Sequence, residues 1–384
     1  MDFDLVWILL GLPVAFTFGW LASRLDLRQL RIENRQAPKA YFRGLNFLLN
    51  EQQDQAIDAF IEAVQNDPDT SELHFALGNL FRRRGEYERA VRVHEHLLQR
   101  GDLPQLERDR AQHALALDYV KAGLLDRAEA ALCKLESTSY EEQARLALLS
   151  IYERSRDWQH SAEIARRLNS AGHASFSSRQ AHYLCEQASI LLAAGDTAQA
   201  FGLLELACQT APAAARPLID LARLQLQNSQ PQSAFKTLLE LEKAAPQAVP
   251  LATSLLVTIA QTDALRPQVM ALLSKHYQQT PSVDVMDAIA RLEKDPAASR
   301  QRYITHLETE TSLIAAARWV AGEKSVNSAD QHNHQLVQRA LDQATKPLMR
   351  YRCAACGFEA SQHFWHCPGC QAWDSYPARR VEEL

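Results

Sequence analysis

The 384-residue chain carries 41 basic and 46 acidic residues, a formal net charge of −5. A nucleic-acid binder shows a strongly basic domain as its electrostatic footprint, and the balance here excludes that class. At this length two or three globular domains are the ordinary expectation, but a chain of repeats grows in one dimension and needs no single large core.

From the N-terminus, Leu5 to Ser23 is a run of 19 residues without a charge. At about 1.5 Å per residue a helix of this length matches a hydrocarbon core of about 30 Å, so residues 1–23 are expected to form a transmembrane helix. Asp2 and Asp4 precede the run, whereas Arg24, Arg28, Arg31, Arg35, Lys39 and Arg43 follow it, opposed only by Asp26 and Glu33. The positive-inside tendency then puts the body of the chain on the cytoplasmic side, with residues 24–38 as a basic juxtamembrane linker. A cleaved secretory signal would begin with a basic leader, and this leader is acidic.

Residues 39–281 repeat themselves. Gly44 recurs as Gly78, Phe47 as Phe81 and Ala56 as Ala90, a period of 34 residues. Each period holds two amphipathic helical patterns separated by a turn. The small residues that mark the expected helix crossings pair Gly44 with Ala56, Gly78 with Ala90, Ala116 with Ala128, Ala188 with Ala200 and Ala222 with Ala234; the fourth pair, Leu149 with Ser161, departs. The aromatic position reads Phe47, Phe81, Tyr119, Tyr152, Leu191 and Gln225, decaying along the chain. Gly85, Gly123 and Gly195 share the place where the first helix must end in a left-handed residue. Pro68, Pro212 and Pro246 follow the second helix, which cannot continue through them. A period of 34 with these positions resembles the tetratricopeptide repeat, with six clear repeats and a seventh, degenerate one ending near Pro281. Residues 282–346 keep helical spacing and are expected to form further helical pairs. Arg82, Arg83 and Arg84 read as a solvated helix end, His94 as a filler of the aromatic slot held by Phe60, and Cys133, Cys185 and Cys208 as small core or half-buried residues. A chaperone-type carboxylate clamp is not expected, because Tyr41 and Leu45 stand where its Lys and Asn would be.

Residues 347–384 differ in kind. Cys353, Cys356, Cys367 and Cys370 make two C-x2-C pairs ten residues apart. Two tight knuckles with four thiolates suit one Zn or Fe ion, and Gly357, Pro368 and Gly369 fit the turns required. Disulfides are disfavoured in the reducing compartment implied by the charge asymmetry. His363 and His366 are not needed once four sulfurs are available. So short a segment relies on metal for much of its folding free energy, and Phe358, Phe364, Trp365, Trp373 and Tyr376 are expected to form a small core or dock on the repeats.

The knuckles resemble rubredoxin, whose pairs read C-x-x-C-G-aromatic and C-P-x-C-G. Gln371 replaces the final glycine and the interval between pairs is shorter than in the electron-transfer proteins, which favours a structural role. The whole arrangement is all-α: a tetratricopeptide-repeat solenoid with an N-terminal transmembrane helix and a small C-terminal rubredoxin-like or zinc-ribbon domain. It resembles the lipopolysaccharide assembly protein B family of Gram-negative bacteria. That resemblance implies a single-pass inner-membrane adaptor without enzymatic activity. Its implied partners are the lipid A pathway deacetylase, a membrane-anchored AAA+ zinc metalloprotease that degrades it, and a lipopolysaccharide-sensing inner-membrane protein. A structural scaffold that gathers lipopolysaccharide synthesis and transport proteins is the alternative. Signatures of P-loop, dinucleotide-binding, zinc-protease and nucleophile-elbow enzymes are missing from the sequence.

Overall fold

The computed structural model describes residues 16–20, 39–67, 70–170, 176–323 and 328–384, and the chain divides into two compact units, 1–155 and 156–384. Of the expected span Leu5–Ser23, only 16–20 fall among the described residues. They are helical, with Phe16, Phe18 and Trp20 exposed; the remainder of the span and the 24–38 linker lie outside the described residues. Among the described residues no helix is long and apolar enough to cross a membrane.

In the first unit, helices α1 (39–49), α2 (Gln53–Asn66), α3 (Ser71–Arg84), α4 (Tyr87–Gln99), α5 (Gln105–Ala122), α6 (Leu125–Cys133) and α7 (Glu141–Ser155) follow one another through short turns. Such loops force neighbouring helices to run antiparallel. Apolar residues on the facing stripes bury a core of Ala56, Ile57, Phe60, Leu73, Leu77, Phe81 and Ala90. The small residues admit rings one helical turn beyond the expected crossing partner. A Cβ on Gly44 would lie 2.8 Å from the Phe60 ring, and one on Gly78 would lie 2.5 Å from His94 Nε2.

His94 is more than a filler. It is fully buried, and its Nδ1 bonds the equally buried Asp118 at 2.5 Å. Arg82 reaches the other Asp118 oxygen at 2.7 Å and donates to the Ala114 carbonyl at 3.0 Å. The solvated-end reading therefore fails for Arg82: its charge is spent on a buried carboxylate of the next hairpin, which would be costly to leave alone. Arg84 bonds Glu86 and Asp54. Cys133 is exposed at the end of α6, not half-buried.

The second unit contains α8 (Trp158–Ser170), α9 (Ser177–Ala193), α10 (Thr197–Thr210), α11 (Ala215–Gln227), α12 (Pro231–Ala244), α13 (Val249–Ile259), α14 (Arg266–Gln279), α15 (Val283–Leu292), α16 (Pro296–Thr309), α17 (Leu313–Ala321) and α18 (Ser328–Thr345). Proline opens α12 and α16, where a missing N–H removes no intrahelical bond. Cys185 is buried and Cys208 half-buried, and burial pushes the Cys208 thiol up to about 11. Where the aromatic position has decayed to Gln225, a hydrogen bond replaces ring packing: Thr237 Oγ1 donates to Gln225 Oε1 at 2.9 Å, both residues buried.

One register position recurs through both units. Seven residues after Gly44, Gly78, Ala116, Leu149, Ala188 and Ala222 the backbone turns left-handed, at Glu51 (φ 59°), Gly85 (86°), Gly123 (77°), Arg156 (58°), Gly195 (88°) and Ser229 (59°). The following amides return to carbonyls one turn back, as Glu86 does to Phe81, Leu124 to Tyr119 and Gln230 to Gln225. Only the glycines announce this conformation in the sequence, because it costs a residue with a Cβ about 1–2 kcal/mol.

Candidate metal centre

Two short hairpins build the C-terminal ribbon. In the first, β1 (Tyr351–Arg352) pairs antiparallel with β2 (Glu359–Ala360), Tyr351 opposite Ala360. In the second, His366 bridges Trp373. Their turns share one hydrogen-bond pattern: Cys353 N–H donates to the Phe358 carbonyl and Gly357 N–H to the Cys353 carbonyl, while Cys367 N–H donates to Ala372 and Gln371 N–H to Cys367, all at 2.9 Å. The fifth residue of each turn is left-handed, Gly357 at φ 77° and Gln371 at φ 60°. Gln371 thus adopts the left-handed conformation that Gly357 holds at the same place in the first turn.

The turns bring Cys353, Cys356, Cys367 and Cys370 together, every sulfur within 4.8 Å of the others. The cross-knuckle pairs Cys353–Cys370 and Cys356–Cys367 lie at 3.8 and 3.7 Å. Thiolates held tetrahedrally about 2.3 Å from an ion sit about 3.8 Å apart, so the sulfur positions fit such an ion. The surrounding donors fit as well. Against the opposing effect of burial, the Ser375 hydroxyl and the amides of Cys356 and Ala355 hold the Cys353 thiol down to about 6. Although the Phe358 amide favours its thiolate, burial and the three neighbouring sulfurs push Cys356 up to about 12. Four sulfurs so close cannot all ionise without a cation among them. The site accordingly takes one metal ion on four cysteines. His363 and His366 stay outside the sulfur cluster: His363 Nε2 donates to the Tyr376 carbonyl at 3.0 Å, and His366 stacks on Trp373 at 4.3 Å between centroids.

The ribbon is fastened to helices of its own unit. Leu251 of α13 packs against Tyr351, Cys353, Cys367 and Tyr376, and Trp365 packs against the core of α11–α15. Trp373 stacks on His182 of α9 at 4.9 Å and meets Tyr183 edge-on. Phe358 instead is exposed. Polar contacts complete the attachment. Buried His182 Nε2 bonds both Asp374 oxygens at 2.9 Å. Arg380 grips Asp284 of α15 through two bonds, at 2.8 and 3.0 Å. Glu383 accepts the Val283 amide at 2.7 Å, and Glu382 accepts those of Leu313 and Ile314 at 2.6 and 3.1 Å. Two carboxylates of the chain's end thus serve the N-termini of α15 and α17, where unpaired amides and the helix dipole favour negative charge. His182, Asp374, Arg380, Glu382 and Glu383 gave no signal in the sequence beyond the acidic and basic pairs of the last six residues.

Residues 351–376 match the family described as a rubredoxin metal binding domain. Lipopolysaccharide assembly protein B of Escherichia coli strain K12 is 30% identical over 387 residues, covering 98% of this chain and 99% of that protein. The chain belongs to the lipopolysaccharide assembly protein B family. A second member, from Haemophilus influenzae, is 27% identical across 96% of each chain. At this coverage the family match runs through both the helical hairpins and the ribbon. Among solved structures, a tetratricopeptide repeat protein from Parabacteroides merdae is 12% identical with a TM-score of 0.33, covering 67% of this chain and 98% of that one.

Proposed function

We propose that this chain is an inner-membrane adaptor, without catalysis of its own, that limits lipopolysaccharide synthesis by promoting degradation of the lipid A pathway deacetylase by a membrane-anchored AAA+ metalloprotease. The observation that carries the reading is the end-to-end match to Escherichia coli lipopolysaccharide assembly protein B. Arrays of helical hairpins expose extended surfaces suited to segments of other proteins, which agrees with a binding role. In this reading residues 1–23 anchor the chain with its body on the cytoplasmic side. Anchoring confines adaptor, deacetylase and protease to one surface and raises their effective concentration. A lipopolysaccharide-sensing inner-membrane protein is the proposed restraint on the adaptor. Cys353, Cys356, Cys367 and Cys370 are the proposed ligand set for Zn or Fe, in a structural role.

The test is the half-life of the deacetylase after depletion of this protein, measured with and without the protease. Depletion lengthens it severalfold when the protease is present and leaves it unchanged when the protease is absent. An unchanged half-life together with failing lipopolysaccharide export would replace the adaptor with a scaffold that gathers synthesis and transport proteins.

A further inference from the structure

The four sulfurs of the metal centre are not equally protected. Cys353 and Cys367 are 1% and 0% exposed, whereas Cys356 and Cys370 face solvent. Each exposed sulfur has a buried partner across the knuckles, Cys370 with Cys353 at 3.8 Å and Cys356 with Cys367 at 3.7 Å. Closing a disulfide at about 2.0 Å asks each pair to approach by less than about 2 Å. An accessible thiolate with a second sulfur beside it is the arrangement in which oxidation ends in a disulfide.

We propose that Cys356 and Cys370 are oxidation sites for hydrogen peroxide, and that cross-knuckle disulfide formation opens the ribbon's clasp on α9. The Cys370 thiolate attacks one peroxide oxygen; the S–O bond forms, the O–O bond breaks and hydroxide leaves. The Cys353 thiolate then attacks the Cys370 sulfur; the S–S bond forms, the S–O bond breaks and a second hydroxide leaves. Two protons from solvent turn both hydroxides into water. The pair has lost two electrons and the peroxide has gained them. Cys356 and Cys367 repeat the sequence with a second peroxide. Each disulfide withdraws two thiolate ligands, so the site can no longer hold its ion.

The link from the sulfurs to α9 runs through one three-residue segment. Ser375 Oγ lies 3.3 Å from Cys353 Sγ, and the Ser375 carbonyl accepts the Ala354 amide at 2.7 Å. On one side of Ser375, Tyr376 O–H donates to the Phe358 carbonyl of the first knuckle at 3.2 Å. On the other, Asp374 holds buried His182. The segment 374–376 therefore braces the Cys353 knuckle and grips α9 at once, and moving Cys353 towards Cys370 pulls on both. Arg380, Glu382 and Glu383 bind α15 and α17 through contacts that include no sulfur, so that attachment survives.

The inference rests on the metal centre and not on the deacetylase reading. Its test uses the full-length, metal-loaded chain in detergent, titrated with hydrogen peroxide while released metal, disulfides and amide exchange are followed. One metal is released per chain, peptide mapping finds Cys353–Cys370 and Cys356–Cys367, and the Ala354, Cys367 and Asp374 amides exchange at least about tenfold faster. The Val283, Leu313 and Ile314 amides keep their protection, and thiol reductant with added metal restores the starting state. Retention of the metal at peroxide levels that oxidise exposed Cys133 would overturn the proposal. So would disulfides within a C-x2-C pair, or metal release with unaltered exchange at the Ala354, Cys367 and Asp374 amides.

Discussion

Gly78 lacks a side chain because His94 occupies the space one would fill, and His94 is held there by Asp118. The same logic of backbone demand governs the turns. Gly123 and Ser229 stand in one register position with left-handed backbones, φ 77° and 59°. Gly123→Ala should destabilise the chain by about 1 kcal/mol, because it installs a Cβ where φ is positive. Ser229→Gly should instead stabilise it by up to about 1 kcal/mol, strain relief exceeding the added entropy of the unfolded chain. Urea denaturation gives both signs, and a loss of stability in Ser229→Gly would contradict the assignment. These residues also show what the sequence makes legible. A glycine at +7 in three periods reveals a left-handed turn, whereas Glu51, Arg156 and Ser229 carry no mark of it, since their backbone is set by the hairpin around them. Arg82 misleads for the same reason: its carboxylate partner lies 36 residues away, beyond any local pattern.

At the scale of single elements, the knuckles were legible because everything that makes them is local: two C-x2-C pairs, with a glycine or proline in each turn. Their attachment was not, because Asp374 meets His182 across 192 residues and Glu383 meets Val283 across 100. Replacing Cys367 and Cys370 together by Ser should remove the metal, about one ion per chain, and loosen residues 351–376. Elemental analysis that finds full metal content in this double variant would contradict the ligand set. The helix pairs carry their own pH dependence. Burial holds His276 of α14 and His306 of α16 below the ordinary value of 6.5. Neutral His306 takes the Tyr277 hydroxyl on Nδ1 at 2.6 Å, and the Nε2 atoms of both histidines are buried without a partner. The unfolded chain therefore takes up protons first on acidification. The stability these residues contribute is complete above pH 6.5 and is lost as pH falls below it. Urea midpoints measured from pH 7.5 to 5.5 should decline, and less steeply in the His276→Gln/His306→Gln variant. An identical decline in that variant would assign the effect elsewhere.

For the whole molecule, the recurring 34-residue period and the paired cysteines point to the family from sequence alone, and a relative matched from end to end agrees with them. What neither the repeats nor the ribbon encodes legibly is the partner, since surface chemistry on helical hairpins varies freely while their packing stays fixed. The role proposed for the chain is to bring a deacetylase and a protease together at a membrane. Such an adaptor needs its anchor. On that proposal, a chain lacking residues 1–23 would keep its binding surfaces but lose the concentration that confinement to one surface provides. The most direct measurement is the deacetylase half-life in depleted cells supplied with either the full chain or residues 24–384 at equal abundance. The full chain should restore rapid turnover, and the truncated chain should leave the half-life severalfold longer. Equal restoration by both would contradict it.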